Sequence, residues 1–84
     1  MDLKETFEQA VVNSKELTEK PGNDILLKLY ALYKQSTSGD VSGDAPENPF
    51  DFVAKAKYNA WSELKGTSAD TAMQEYIILV NSLK

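Results

Sequence analysis

The segment that ends at Gly39 constrains the fold most, because its apolar residues recur at helical spacing. At about 100° per residue, Ile25, Leu29, Leu32 and Ser36 share one face, and polar residues occupy most of the other. The glycine at position 39 is a typical helix stop. The sequence therefore predicts an amphipathic helix over residues 23–37 with one face in a core.

The same spacing predicts three further helices and no strand. The first follows Asp2 as its N-cap, the third runs from near Asp51 to Leu64, and the fourth follows a cap at Thr67 or Ser68. We expect an all-α fold, a single domain over residues 1–84 in which four amphipathic helices form one bundle.

Residues 40–49 are rich in turn formers and predict a loop that is long for so small a domain. Because this connection is long, the second and third helices need not be antiparallel neighbours. We expect Phe50 or Phe52 to attach the far end of the loop to the core.

Three residues of the second helix form a candidate binding patch. Tyr30 and Tyr33 are i,i+3 neighbours, and Tyr30 and Lys34 are i,i+4 neighbours, so two phenols and an ammonium lie together. Aromatic rings beside a cation suit a planar heterocycle that carries phosphate. The alternative is that the tyrosines cover the rim of the core while the lysine head reaches water.

A lysine interrupts the apolar face of the third helix. Val53, Ala56, Ala60 and Leu64 define that face, and Lys57 falls in its middle. Since burial of an unpaired ammonium is costly, either this face opens onto a pocket or the lysine meets an anion. The alternative is a lysine whose stem packs on the core while its head reaches solvent.

Two further residues are candidates by position. Lys15 lies at the edge of the apolar face of the first helix and could lean over a neighbouring groove, whereas an ordinary solvated lysine is the usual role of such a residue. Tyr76 falls on the apolar face of the fourth helix, where core packing is the ordinary role and its hydroxyl needs a partner.

The composition argues against several classes of protein. The chain has no cysteine and no histidine, which removes thiol chemistry, the commonest metal ligand and the commonest general base. We therefore expect no enzyme, no metal site and no cofactor. The net charge of −4 argues against nucleic-acid binding, and the absence of a long apolar run or signal peptide favours a cytoplasmic protein.

Three ordered motifs resemble the acyl-CoA-binding protein family. They are Tyr-x-x-Tyr-Lys-Gln-x-Thr-x-Gly-Asp at Tyr30–Asp40, Lys-Ala-Lys-x-x-Ala-Trp-x-x-Leu-Lys-Gly at Lys55–Gly66, and Ala-Met-x-x-Tyr-Ile at Ala72–Ile77. The resemblance extends from Phe7 to about Leu83. It implies an up-up-down-down helix bundle that binds medium- to long-chain fatty acyl-CoA esters without transforming them.

The resemblance also implies a monomeric carrier that makes transient contact with acyl-CoA-using enzymes. In the family pattern Tyr33 lies beside the adenine, and the ribose 3′-phosphate lies among Tyr30, Lys34 and Lys57. The residues implied to bind the ligand are Lys15, Tyr30, Tyr33, Lys34, Lys57 and Tyr76.

The chain departs from the family pattern at three places. Tyr58 replaces a second tryptophan, and Val53 stands where many members have a basic residue. After Asp40 the usual Asn and Pro-Gly turn are missing, and Pro46 is followed by Glu47. The altered loop leaves its shape and the preferred acyl length open, Tyr58 changes packing more than the class of protein, and Val53 removes one outer contact to phosphate.

Two other classes compete with this interpretation. An acyl carrier protein needs an Asp-Ser-Leu motif at a helix start, and the nearest string, Asn81–Leu83, is at the end of the last helix without the aspartate. A helical interaction module would keep the fold but present Tyr30, Tyr33 and Lys57 to a partner helix.

Overall fold

The structure, a computed structural model, describes residues 2–42, 47–48 and 50–83. Within these ranges it contains no β-strand, and none of its helices is long and apolar enough to cross a membrane. Residues 43–46 and 49 of the predicted loop lie outside the described residues. The all-α, four-helix prediction is confirmed, and the helices are α1 (Leu3–Lys15), α2 (Asn23–Ser38), α3 (Phe52–Ser62) and α4 (Ala69–Ser82).

The helix ends follow local chemistry. The side chains of Asp2, Asp51 and Ser68 each accept a hydrogen bond from the backbone N–H three residues later, at 2.8, 3.0 and 3.1 Å. Each such cap stabilises a helix by about 1 kcal/mol. Gly39 follows α2 with φ = 80°, a conformation that side-chain-bearing residues rarely adopt. The predicted helix starts and the stop at this glycine are confirmed.

Helices α4 and α2 each pack against two other helices. Helix α4 packs against α1 and α2, and α2 in turn packs against α3. Among the described helices, the backbones of α1 and α2 do not approach each other closely, so an open space remains between them above α4. The main buried cluster consists of Phe7, Ala10, Leu29, Leu32, Ala72, Tyr76 and Val80.

Contacts at the helix ends define the directions of three helices. Leu17, just after α1, and Leu83, just after α4, line one shallow cavity, so these two helices run in parallel. The C-terminal end of α2 lies at the N-terminal end of α4, where the Gln35 side chain donates to the carbonyl of Thr67 at 2.8 Å. Helices α2 and α4 are therefore antiparallel.

Helices α2 and α3 are parallel neighbours. Leu27 and Phe52 line one groove near their N-terminal ends, and the Trp61 indole donates to the Gly39 carbonyl at 2.9 Å near their C-terminal ends. The helix directions in chain order are thus up-down-down-up rather than the expected up-up-down-down. The short connections before α2 and before α4 reverse the chain, whereas the long connection lets α3 start again beside the start of α2.

Neither of the two phenylalanines expected to attach the far end of the loop to the core is buried. Phe50 is 80% exposed and Phe52 is 72% exposed, so the prediction that one of them attaches the loop to the core is wrong. The reason is that the first turn of α3 borders an open groove. No residue of α3, which is described throughout, is buried.

The side chain of Gln35 joins three parts of the bundle. Fully buried on α2, it donates from Nε2 to the Asp40 carboxylate and to the Thr67 carbonyl, each at 2.8 Å. Its Oε1 accepts from the Trp61 indole at 3.2 Å. The same Asp40 oxygen accepts from the Gly66 backbone N–H at 2.8 Å. These bonds connect the end of α2 to α3 and to the turn before α4.

Replacement of Gln35 by alanine should lower the free energy of unfolding by about 2–4 kcal/mol, because it opens a cavity and removes three hydrogen bonds. The matched control is Gln74→Ala on the exposed side of α4, which should change stability by less than about 0.5 kcal/mol. Urea denaturation measures both. Equal stability of the two variants would contradict the role given to this amide.

Asp40 should make stability depend on pH in the acid range. The hydrogen bond from the Gly66 N–H, followed by that from Gln35, lowers the pKa of this carboxyl below 3.8. The ionised form is favoured by folding, so its contribution is complete above the unfolded pKa and is lost as pH falls through the folded pKa. The stability difference between the wild type and Asp40→Asn should therefore shrink between pH 7 and pH 3 in urea denaturation. A difference that stays constant would contradict the assignment.

Candidate ligand-binding site

A cleft of about 480 Å³ lies between α1 and α2. It exists because these helices are held apart and share α4 as a floor. Four of the six residues predicted to bind ligand line it, namely Lys15, Tyr30, Tyr33 and Tyr76. The structure thus brings together side chains from three helices that are distant in sequence.

Tyr76 forms the floor of this cleft. Its buried ring meets Phe7 edge-on with 5.1 Å between the ring centroids. Its hydroxyl donates to Ser14 Oγ at 3.1 Å, and the Ser14 hydroxyl donates to the Val11 carbonyl at 2.6 Å. The expectation that this hydroxyl has a partner is confirmed.

Tyr33 forms part of the α2 wall. Its ring stacks on Phe7, with centroids 6.1 Å apart and planes inclined by 26°, yet the residue stays exposed. Tyr33 and Val11 also line a wider groove of about 600 Å³ that extends to Lys4 and Thr37. An aromatic ring held by the core and open to the cleft is suited to stacking with a planar group.

Across the α2–α3 interface, Lys34 and Lys57 each contact an aromatic ring of the opposite helix. The Lys57 ammonium of α3 lies 5.3 Å from the ring centroid of Tyr30 on α2. The Lys34 ammonium of α2 lies 5.1 Å from the ring centroid of Trp61 on α3. Neither lysine lines the cleft above α4, but the Tyr30 ring belongs both to that cleft and to the Lys57 contact.

An apolar groove of about 340 Å³ adjoins the cleft. It lies between the N-terminal halves of α2 and α3, and Leu26 lines both the groove and the cleft. The apolar face of α3 opens here, with Val53 65% exposed, which confirms that this face borders a pocket and places Lys57 at its edge. The groove is lined by Asn23, Leu26, Leu27, Phe52, Val53, Ala56 and Lys57.

Two adjoining cavities of different polarity can hold an amphiphile. The cleft supplies phenol rings and the Lys15 ammonium for a planar, anionic group, and the groove supplies apolar walls for a tail. In the described part of the chain, no three acidic side chains cluster in a way that would hold a metal ion.

A family model described as acyl-CoA binding protein matches residues 4–80. The chain belongs to the acyl-CoA-binding protein family. The acyl-CoA-binding protein of Dictyostelium discoideum is 51% identical over 78 residues, which cover 93% of this chain and 92% of that protein. The family resemblance inferred from the three motifs is confirmed.

A solved structure agrees with the fold of the family. The crystal structure of acyl-CoA-binding protein 2 from Oryza sativa matches with a TM-score of 0.91 at 36% identity, covering 98% of this chain and 90% of that chain. A further relative, enoyl-CoA delta isomerase 2 of Rattus norvegicus, is 48% identical over 77 residues. That match covers 92% of this chain but 19% of the rat protein, so the related segment there is part of a longer chain.

Several residues of the site were not recognised from the sequence. Ser14 is the partner of Tyr76, and a lone serine on an apolar helix face was the available signal. Leu26 and Phe52 line the groove, but apolar residues at helical spacing give no signal that separates groove from core. The contact of Lys34 with Trp61 depends on two helices that are distant in sequence.

Proposed function

We propose that the protein binds medium- to long-chain fatty acyl-CoA esters without transforming them and acts as a monomeric cytoplasmic carrier and buffer. The observation that carries this proposal is the union of the phenol- and lysine-bordered cleft with the apolar groove at Leu26. An acyl-CoA ester has the same two parts, an anionic nucleotide and a long apolar chain. Membership of the family supports this ligand over other amphiphiles.

The nucleotide is assigned to the cleft above α4. The adenine stacks beside Tyr33, whose ring is held by Phe7 and open to the cleft. The ribose 3′-phosphate lies among Tyr30, Lys34 and Lys57, where a phosphate would compensate both ammonium groups. Lys15 reaches the ligand from α1, and Tyr76 contacts the coenzyme from the floor.

The acyl chain is assigned to the groove between α2 and α3. Val53 and Phe52 are exposed, and a bound chain would cover them. Shielding about ten methylenes from water contributes up to about 8 kcal/mol. The acyl chain therefore contributes a large share of the affinity, and the nucleotide contacts select a coenzyme A ester over a free fatty acid.

The lysine assignment predicts loss of affinity in calorimetric titration with palmitoyl-CoA. Lys34→Met and Lys57→Met should each weaken binding by about tenfold, because each removes a charge-assisted contact, and should reduce its salt dependence. Lys55→Met, an exposed lysine on the same helix as Lys57, is the matched control and should bind like the wild type. Free palmitate and coenzyme A should bind the wild type much more weakly than the ester.

A different outcome would support the competing interaction module. If palmitoyl-CoA gives no heat and no change in melting temperature with the wild-type protein, the family fold serves another partner. If the ester binds but Lys34→Met and Lys57→Met behave like Lys55→Met, the ligand is correct and the placement of the phosphate is wrong.

The acyl-chain assignment predicts a selective effect of Val53. Val53→Ser should weaken palmitoyl-CoA binding by about threefold to tenfold, since it replaces apolar contact in the groove, and should leave coenzyme A binding unchanged. Ile78→Ser is the matched control, because Ile78 is 67% exposed on α4 and is also apolar. Equal affinities of the two variants in calorimetric titration would place the acyl chain elsewhere.

Transfer of the ligand to enzymes is also part of the proposal. In the rat isomerase named above, a segment related to this chain lies within a longer protein. That arrangement supports transient contact between a separate carrier and acyl-CoA-using enzymes.

A further inference from the structure

Two hydrogen bonds hold the half-buried indole of Trp61. Its N–H donates to the Gly39 carbonyl at 2.9 Å and to Gln35 Oε1 at 3.2 Å. The amide of Gln35 is itself anchored to Asp40 and Thr67. Because both acceptors lie at the end of α2, the indole has one orientation, with a ring face turned to the Lys34 ammonium.

This ring face orders a cation that would otherwise be mobile. The head of a half-buried lysine such as Lys34 can still sample several rotamers, and ordering it on ligand binding costs affinity. Attraction to the indole face limits that sampling before ligand arrives. An ammonium has three N–H donors, so contact with a ring on one side leaves others available to a phosphate.

Trp61 differs in this respect from Tyr30, the ring beneath the other lysine. Tyr30 lines the cleft and is assigned a direct ligand contact. Trp61 is not among the described residues that line the cleft or the apolar groove. Its route to the ligand therefore runs through Lys34.

We propose that Trp61 is a positioning residue for Lys34, whose indole face holds the lysine ammonium where the anionic part of the ligand binds. The assignment rests on the proposed function, since it takes Lys34 as a contact to the phosphate of the coenzyme. The hydrogen bonds around Gln35 then have two roles. They join the helices, and they orient the Trp61 ring.

The test is a double-mutant cycle read by calorimetric titration with palmitoyl-CoA at low salt. Trp61→Leu should weaken binding by about twofold to tenfold in the wild-type background, because the lysine must then be ordered on binding. In the Lys34→Met background the same substitution should have almost no effect. A purely structural role of Trp61 would instead lower affinity by the same factor in both backgrounds, which would overturn the proposal.

A second variant separates the ring from its hydrogen bonds. Trp61→Phe keeps an aromatic face for the ammonium but removes the N–H, so its melting temperature should fall while its affinity stays closer to that of the wild type than the affinity of Trp61→Leu. An increase in affinity in Trp61→Leu would show that the ring withholds the lysine from ligand, and would also overturn the proposal.

A readout without ligand separates this inference from the proposed function. In the free protein, the ε-methylene protons of Lys34 should be shifted upfield by the indole ring current, and the shift should be lost in Trp61→Leu. Absence of the shift would overturn the positioning role even if palmitoyl-CoA binds. Presence of the shift together with no palmitoyl-CoA binding by the wild type would overturn the proposed function, and the role in binding with it.

Discussion

The hydrogen bonds of one buried amide determine how the C-terminal end of α2 meets the rest of the bundle. Gln35 has three partners, Asp40, Thr67 and Trp61, which lie beyond α2, before α4 and on α3. A buried amide without partners is strongly destabilising, so only an arrangement that satisfies all three bonds is stable. Apolar packing alone would tolerate several relative positions of these helices. The network selects one of them, in which α2 and α3 are parallel.

The parallel arrangement of α2 and α3 produces the site. Because the N-terminal ends of α2 and α3 lie together, two successive turns of α2 face two successive turns of α3. Lys57 therefore contacts Tyr30, and Lys34 contacts Trp61. The backbone of helix α1 lies against α4 and away from α2, which leaves the cleft open beside Tyr30. The groove and the cleft then meet at Leu26. Because every wall is a helix face, the site is formed by the same packing that stabilises the fold.

Features that depend on neighbouring residues could be predicted from the sequence, whereas features that depend on distant contacts could not. The helices, their caps and the patch of Tyr30 and Lys34 follow from spacings of three and four residues. The burial of Gln35 and the directions of the helices arise from contacts between segments distant in sequence. The prediction for Phe52 was wrong because an apolar side chain is equally suited to a core and to the wall of an open groove. Family motifs supplied the ligand, which no spacing of residues could identify.

The central claim is that the cleft and the groove together hold one acyl-CoA molecule. It is tested most directly by following backbone amide signals in ¹H–¹⁵N NMR spectra during titration with palmitoyl-CoA. The account predicts that Ser14 and Tyr33 in the cleft and Ala56 in the groove shift together and saturate at one equivalent. The amide signals of Thr18 and Leu83, which line a cavity that shares no lining residue with either, should not shift. Shifts confined to the cleft, to the groove or to that remote cavity would contradict the claim.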